Sequence, residues 1–518
     1  MIQKPVQRKI YITGLILLSL GILFSGPVVS MSTMLLGANW FSELNYRKRL
    51  QLFFRNPTAL LLSAVFFMHL LGFLWTSNFN YGLDDLRTKV PLFVLPFIIS
   101  TTPTLSKNEF RLLLAFFITG IVVSTLISMT ALWHWLPVAV HDIRDISLFI
   151  SHIRLSLMIC LSIFALAYFF VRYPSNWLRG LIIIIGCWLI VFMGILESLT
   201  GLSILVVVSF VICIVYFSKH RPKLALTVGL ITLLLFIGAV YQINSIAKGF
   251  TEVKSVSIKD LPKKSPAGHP YYNDSTFLIV ENGTYVMLQA CWEELRPSWE
   301  KRSKIRFDSV DAKGNPVSVT LVRYMASKGF LQKDAETFSA LTDSDIHAIE
   351  SGICNYKYRS LGSLNGRIYE SIWEIDVYRK GMNPSGHSMT MRFEFWKTGW
   401  HVFKHNWLTG VGTGDVRDAF TKQYIADKST LDERWRLRAH NQYLAIAVAF
   451  GALGLLLFLI SLVYPLLQNK MYGNYFYLVF FMIVCISMLT EDTLETQAGV
   501  TFYAFFNSIF LFAQPKDT

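Results

Sequence analysis

The chain has 518 residues, of which 53% are hydrophobic, 14% aromatic and only 16% charged, a balance too apolar for a soluble protein of this length. Its formal net charge of +14 would suit a nucleic-acid partner, but many lysines and arginines stand in short clusters beside apolar runs, as the anchoring of membrane spans requires. Composition therefore points to a multi-pass membrane protein and away from nucleic-acid binding.

Apolar runs long enough to read as spans occur at 10–25, 27–43, 58–77, 89–103, 110–136, 146–171, 177–196, 200–217, 223–242, 441–467, 474–490 and 496–514. Lys4, Arg8 and Lys9 before Ile10 have the form of a signal peptide, but apolar sequence continues past Ser25-Gly26, so the first run reads as an uncleaved span. Placing the N-terminus in the cytoplasm brings Arg47-Lys48-Arg49, Arg55, Lys107, Arg111, Arg172, Arg179, Lys219 to Lys223, Lys470 and Lys516 to the same side. Asp84-Asp85, Asp142, Glu197, Glu491 and Asp492 then fall on the outer side, with the long segment 243–439. The expected fold is an all-α polytopic membrane protein of about twelve spans. Residues 1–242 carry spans one to nine, 243–439 form a large inserted domain, and 440–518 carry spans ten to twelve.

The insert has ordinary globular composition. Candidate helices at Ala335 to Ser351 and Arg367 to Arg379, and alternation from Thr276 to Val286, predict an α+β or mostly helical domain entered through the loop Ser255 to Asp274. Four of the six cysteines lie in apolar runs; Cys291 and Cys354 lie in the insert, as a disulfide or as two free thiols. Asp343-Ser-Asp345 has a spacing used for divalent cations, but two carboxylates are too few, and the sequence reads better as the acidic first turn of a helix. No metal site is expected.

Three places carry chemistry. Arg154, in the run His152-Ile-Arg154, falls about ten residues inside its expected span, about 15 Å deep at about 1.5 Å per residue, where it needs an ion-pair partner or a polar cavity. His440 opens an apolar run directly after Arg434, Arg436 and Arg438. Histidine takes a proton readily near neutral pH, and arginines on the outer side serve no topological purpose but suit a phosphate diester. Arg392 precedes Trp396 and the stretch Gly410-Val-Gly412-Thr-Gly414-Asp415, whose glycines mark a tight turn. Asp84-Asp85 and Glu491-Asp492 read as solvated loop charges, though either pair offers a base.

Together these features resemble the O-antigen ligase family and its O-antigen polymerase relatives, membrane glycosyltransferases of GT-C type. The most specific match is His440-Asn441, nine residues, then Gly451-Ala-Leu-Gly454; the insert resembles that of Bacteroidetes-type members, although at nearly two hundred residues it exceeds the usual loop. The resemblance implies an inner-membrane enzyme of lipopolysaccharide biosynthesis, with both termini cytoplasmic and the insert periplasmic. Its donor would be an undecaprenyl-pyrophosphate glycan and its acceptor a lipid A-core sugar hydroxyl, or else a growing glycan or a protein. It needs no cofactor. It further implies His440 as general base, Arg154 and Arg392 on the pyrophosphate, and Arg438, Asn441, Gly412 and Gly414 as substrate-binding residues. A lipid-linked glycan transporter would also explain a cavity arginine, but requires neither His440 nor a large outer domain.

Overall fold

The computed structural model describes residues 4–515 except 134, 139, 141–142, 174, 221, 254–255, 277, 360–363 and 469. Two compact units emerge. The first comprises Met1–Val138, Arg144–Tyr216 and Met391–Thr518, the second Ala139–Ile143 and Phe217–Thr390.

The chain is mostly helical. Among the described residues seven helices are long and apolar enough to cross a membrane: Pro5–Phe24, Pro57–Trp75, Lys107–Leu132, His152–Arg172, Asn176–Ile195, Gly229–Lys248 and Gln442–Gln468. Shorter apolar helices run over Leu199–Val215, Tyr475–Ser487 and Gln497–Ala513. The runs at 27–43 and 89–103 fold as the helices Gly26–Phe41 and Pro91–Ser100, of 16 and 10 residues. Ten residues make about 15 Å of helix, half of a hydrocarbon core of about 30 Å. Pro91 opens that helix, and the polar helix Phe79–Lys89 before it is capped by the Asn78 side chain, which accepts from the Tyr81 amide. By length, seven of the roughly twelve expected spans are supported.

A glycine knot fixes the last third of the first unit. Gly451 breaks the Gln442–Gln468 helix with φ 65° and ψ −163°. The carbonyls this exposes accept from the loop after His405: Val411 N–H donates to Val448 O (3.0 Å) and Gly412 N–H to Ala449 O (2.9 Å), while Ala452 N–H donates back to Trp407 O (2.7 Å). A Cβ on Gly451 would stand 2.2 Å from the Leu408 carbonyl carbon. Gly412 and Gly414 press on the turn after the Pro57–Trp75 helix, where a Cβ would meet Thr76 Oγ1 at 2.7 Å and Asn78 O at 2.1 Å. Asp415 completes the knot by accepting from the Ser77 and Asn78 amides. These two glycines thus permit close backbone approach.

The second unit has its own core, in which Val286, Leu295, Trp299, Leu321, Met325, Phe338, Ile349 and Trp373 are buried together. It is mostly helical. The alternating stretch yields a hairpin pairing Val280 with Tyr285 and Glu281 with Thr284, turned by Asn282 and Gly283, both at positive φ as a tight hairpin turn requires. The expected helix Ala335 to Ser351 is two helices, Ala335–Ser339 and Asp343–Glu350, because Thr342 caps the second in a reciprocal capping box with Asp345. Asp345 is buried, accepting from Tyr324 and Lys328, which accounts for the Asp-x-Asp spacing structurally. Cys291 and Cys354 are both free thiols. Residues 391–439, read with the insert from sequence, pack with the first unit.

Lys333 is fully buried and donates to three backbone carbonyls, Tyr285, Leu288 and Leu331. Burial pushes its ammonium down to about 7. Between about pH 7 and the unfolded value of about 10.4 the unfolded chain holds the proton that the folded one has lost, so this group makes stability rise with pH by up to about 1.4 kcal/mol per unit. Chemical unfolding across this window is expected to show the slope in the native protein and to lose it in Lys333→Met. In the knot, Gly451→Ala combines a positive φ with a backbone overlap and is expected to cost more than about 3 kcal/mol. A thermal unfolding transition in detergent lowered by many degrees checks this.

Candidate active site

His440 ends the segment that leads into the Gln442–Gln468 helix, and its own backbone is left-handed at φ 45°. That conformation is uncommon for a residue with a Cβ and is held only where neighbours dictate it. Here they do. Asn441 Nδ2 donates to Leu489 O at 2.9 Å while its Oδ1 accepts from the Leu444 amide, Gln442 N–H donates to Met488 O, and Gln442 Oε1 accepts from Leu494 N–H at 2.7 Å. Asn441 and Gln442 therefore staple the segment to residues 488–494, and Asn441 also caps the helix. The His440 ring lies 5.5 Å from that of Phe395.

The stapled segment 488–494 brings Glu491 and Asp492 beside His440. Both are buried, with relative exposures of 8% and 6%, which overturns their reading as solvated charges. Glu491 Oε1 accepts from Arg392 Nη2 at 3.2 Å, Arg392 being the fifth residue of the helix Ser388–His405. His440 Nδ1 stands 3.7 Å from Asp492 Oδ1, beyond a direct hydrogen bond, and this buried nitrogen has no hydrogen-bond partner. With Nδ1 facing Asp492, Nε2 is the ring nitrogen left to meet a substrate hydroxyl. Burial raises Glu491 above the usual carboxylate range, with Asp492 adding to it, against the pull of His440, Arg392 and Arg154.

Arg154 acts on Glu491 electrostatically, but from a different depth than the sequence implied. The helix begins at His152, six residues later than the expected span, with Ser151 as its cap, accepting from the Arg154 amide and from Arg154 Nη1 (3.2 Å). Arg154 thus sits in the first turn at a helix N-terminus, where backbone amides also favour an anion. Ser151 was the missed signal: Phe149 and Ile150 extend the apolar run past the point where the serine stops the helix.

Of the three arginines before His440, Arg438 enters the site. It donates to Glu495 Oε2 at 2.8 Å and to the Tyr81 hydroxyl at 3.2 Å, and lies 3.7 Å from Asp492. Arg436 instead donates to Leu431 O, and Arg434 lies over the Trp435 ring. Glu495 also receives Lys89 Nζ at 3.1 Å, and Lys89, fully buried, reaches Asp85 at 2.8 Å. Burial opposes ionisation of Glu495, but Lys89 and Arg438 outweigh it and hold the carboxyl far below its ordinary value. Tyr81, Asp85, Asp492, Glu495, Arg438 and His69 line a cavity of about 20 Å³, room for about one water. Lys89 and Glu495 were missed because each sits at the edge of an apolar run, where a lone charge reads as a span boundary.

His440, Glu491 and Asp492 offer three ligand atoms within 4.8 Å of one another. On spacing alone they could hold a cation. Arg392 already binds Glu491 and Arg438 stands beside Asp492, so the set fits a divalent cation poorly and an anion well. A preorganised group of arginines with one histidine can bind a phosphate, stabilise charge as it leaves, and take a proton from a nearby hydroxyl.

Residues 348–459 match the family model described as O-Antigen ligase, a stretch that includes Arg392, Arg438, His440 and the Gly451 knot. No curated protein matches the chain. The match supports ligase-type or polymerase-type action on glycans and, with the apolar helices, a multi-pass inner-membrane protein. Over residues 348–459, about a fifth of the chain, the match supports an O-antigen ligase family assignment.

Proposed function

We propose that the protein transfers a glycan from undecaprenyl pyrophosphate to a sugar hydroxyl of lipid A-core on the periplasmic face of the inner membrane, by an inverting, metal-independent glycosyl transfer. The observation that carries this reading is the meeting of Arg392, Arg154 and His440 around Glu491, in a site built from helix ends of the first unit.

The chemistry follows from the charges. A sugar hydroxyl is a weak nucleophile, and His440 Nε2 takes its proton as the oxygen attacks the anomeric carbon. The bond from that carbon to the pyrophosphate oxygen breaks, and the electron pair leaves with the phosphate. Arg392 and Arg154 meet this growing charge with charge-assisted hydrogen bonds, aided by the N-terminus of the His152–Arg172 helix. Arg438, 3.7 Å from Asp492, is a third contact to the same group. A single displacement inverts the anomeric centre. Asn441, Gly412 and Gly414 serve this reading by placement: Asn441 fixes the His440 segment, and the glycines hold the loop after Arg392 against the turn at Thr76.

His440→Ala is expected to lower transfer by about 100-fold or more, and Arg154→Ala or Arg392→Ala by a similar factor, equivalent to about 2.7 to 4 kcal/mol of transition-state stabilisation. In cells, gels of lipopolysaccharide with analysis of lipid-linked glycans read the outcome. The ligase reading predicts loss of polymer on lipid A-core while long lipid-linked chains accumulate. A single repeat unit on the core would mark a polymerase instead, and a change confined to glycoproteins a protein O-oligosaccharyltransferase. Normal glycans of all three kinds would overturn His440 as the base.

A further inference from the structure

The described charges of the site balance when it is empty. Arg154, Arg392, Arg438 and Lys89 face Asp85, Glu491, Asp492 and Glu495, and salt bridges join most of them. A pyrophosphate diester brings about two further negative charges, and arginines already engaged with carboxylates cannot receive it at full strength. One carboxylate has to give way. Asp492 and Glu495 share Arg438, and Glu495 is also tied to buried Lys89. Glu491 is different: its hydrogen-bonded cation is Arg392, one of the two arginines assigned to the donor, and Arg154, the other, acts on it as well.

We propose that Glu491 is an internal counter-anion, holding Arg392 in the empty site and being displaced from it by the pyrophosphate of the donor. The proposal rests on the assignment of Arg392 and Arg154 to the donor phosphates. Geometry supports it at both ends. The Arg392–Glu491 contact is a single hydrogen bond of 3.2 Å between largely buried side chains, weaker than the bidentate grip an arginine can take on a phosphate. Arg154 Nε is buried with no hydrogen-bond partner, a donor that Glu491 does not satisfy and that a larger anion reaching from Arg392 would. Burial and the neighbouring Asp492 work against a charged Glu491, while His440, Arg392 and Arg154 work for it. Glu491 thereby supplies negative charge beside the donor arginines between turnovers, at the cost of competing with the substrate.

The test is binding of undecaprenyl pyrophosphate, without glycan, to the full chain in lipid nanodiscs. Glu491→Gln removes the competitor and is expected to tighten binding on the order of 5- to 10-fold, as when a binding-competent state becomes fully populated. Arg392→Ala is expected to weaken binding, and adding Glu491→Gln to it to recover less than Glu491→Gln gains in the native background, because only Arg154 is left to release. Unchanged or weaker binding by Glu491→Gln, with Arg392→Ala still weakened, would overturn the counter-anion while leaving the phosphate site intact. Unchanged binding in both Arg392→Ala and Arg154→Ala would instead overturn the phosphate site itself, and the counter-anion with it. Should Glu491→Gln fold poorly, thermal unfolding decides: undecaprenyl pyrophosphate is expected to raise its transition by more than that of the native protein, and an equal or smaller rise would contradict the proposal.

Discussion

Charge buried near a membrane has to be matched by charge, and around the candidate site the matching is done by one short segment. Glu491, Asp492 and Glu495 meet Arg392, His440, Arg438 and Lys89, which reach them from three other parts of the first unit, with Arg154 acting on Glu491 from a fourth. Removing one partner of such a buried set leaves its counterpart uncompensated, at about 3 to 5 kcal/mol for a fully buried pair. The helices are thus committed to a single arrangement by their polar ends as well as by their apolar faces. The same arrangement leaves a histidine and arginines facing one place.

The second constraint is steric. Gly451 interrupts a membrane helix so that the backbone of Trp407–Gly414 can bond into the gap, and Gly412 and Gly414 then lock that loop onto the turn at Thr76 to Asn78. Arg392 lies on the helix before this loop and His440 directly before the broken helix. The knot therefore ties together the two elements whose side chains meet at Glu491. The spacing from His440 to Gly451 gains a physical meaning: it is the distance from the site to the anchor that positions it.

Much of this was legible in the sequence. Apolar runs marked the helices, and the His440 to Gly454 spacing marked the segment that the family match covers. The arginines were visible because charge in apolar surroundings is conspicuous. What escaped notice was decided by tertiary contact. Glu491 and Asp492 read as loop charges because nothing local shows that residues 488–494 are bonded to Asn441 and Gln442. Arg154 read as deep because Ser151, a helix cap, is hidden inside an apolar run. The glycines at 412 and 414 are visible in the sequence, but the distant backbone at Thr76 to Asn78 that they approach is not.

The central claim is that Arg154 and Arg392, from separate helices, grip one pyrophosphate beside His440. A cryo-EM map of the full chain in lipid nanodiscs with undecaprenyl-pyrophosphate glycan tests it most directly. Phosphate density within hydrogen-bonding distance of both guanidinium groups, with the anomeric carbon toward His440, is the predicted result. Density for the pyrophosphate away from these three residues would contradict it.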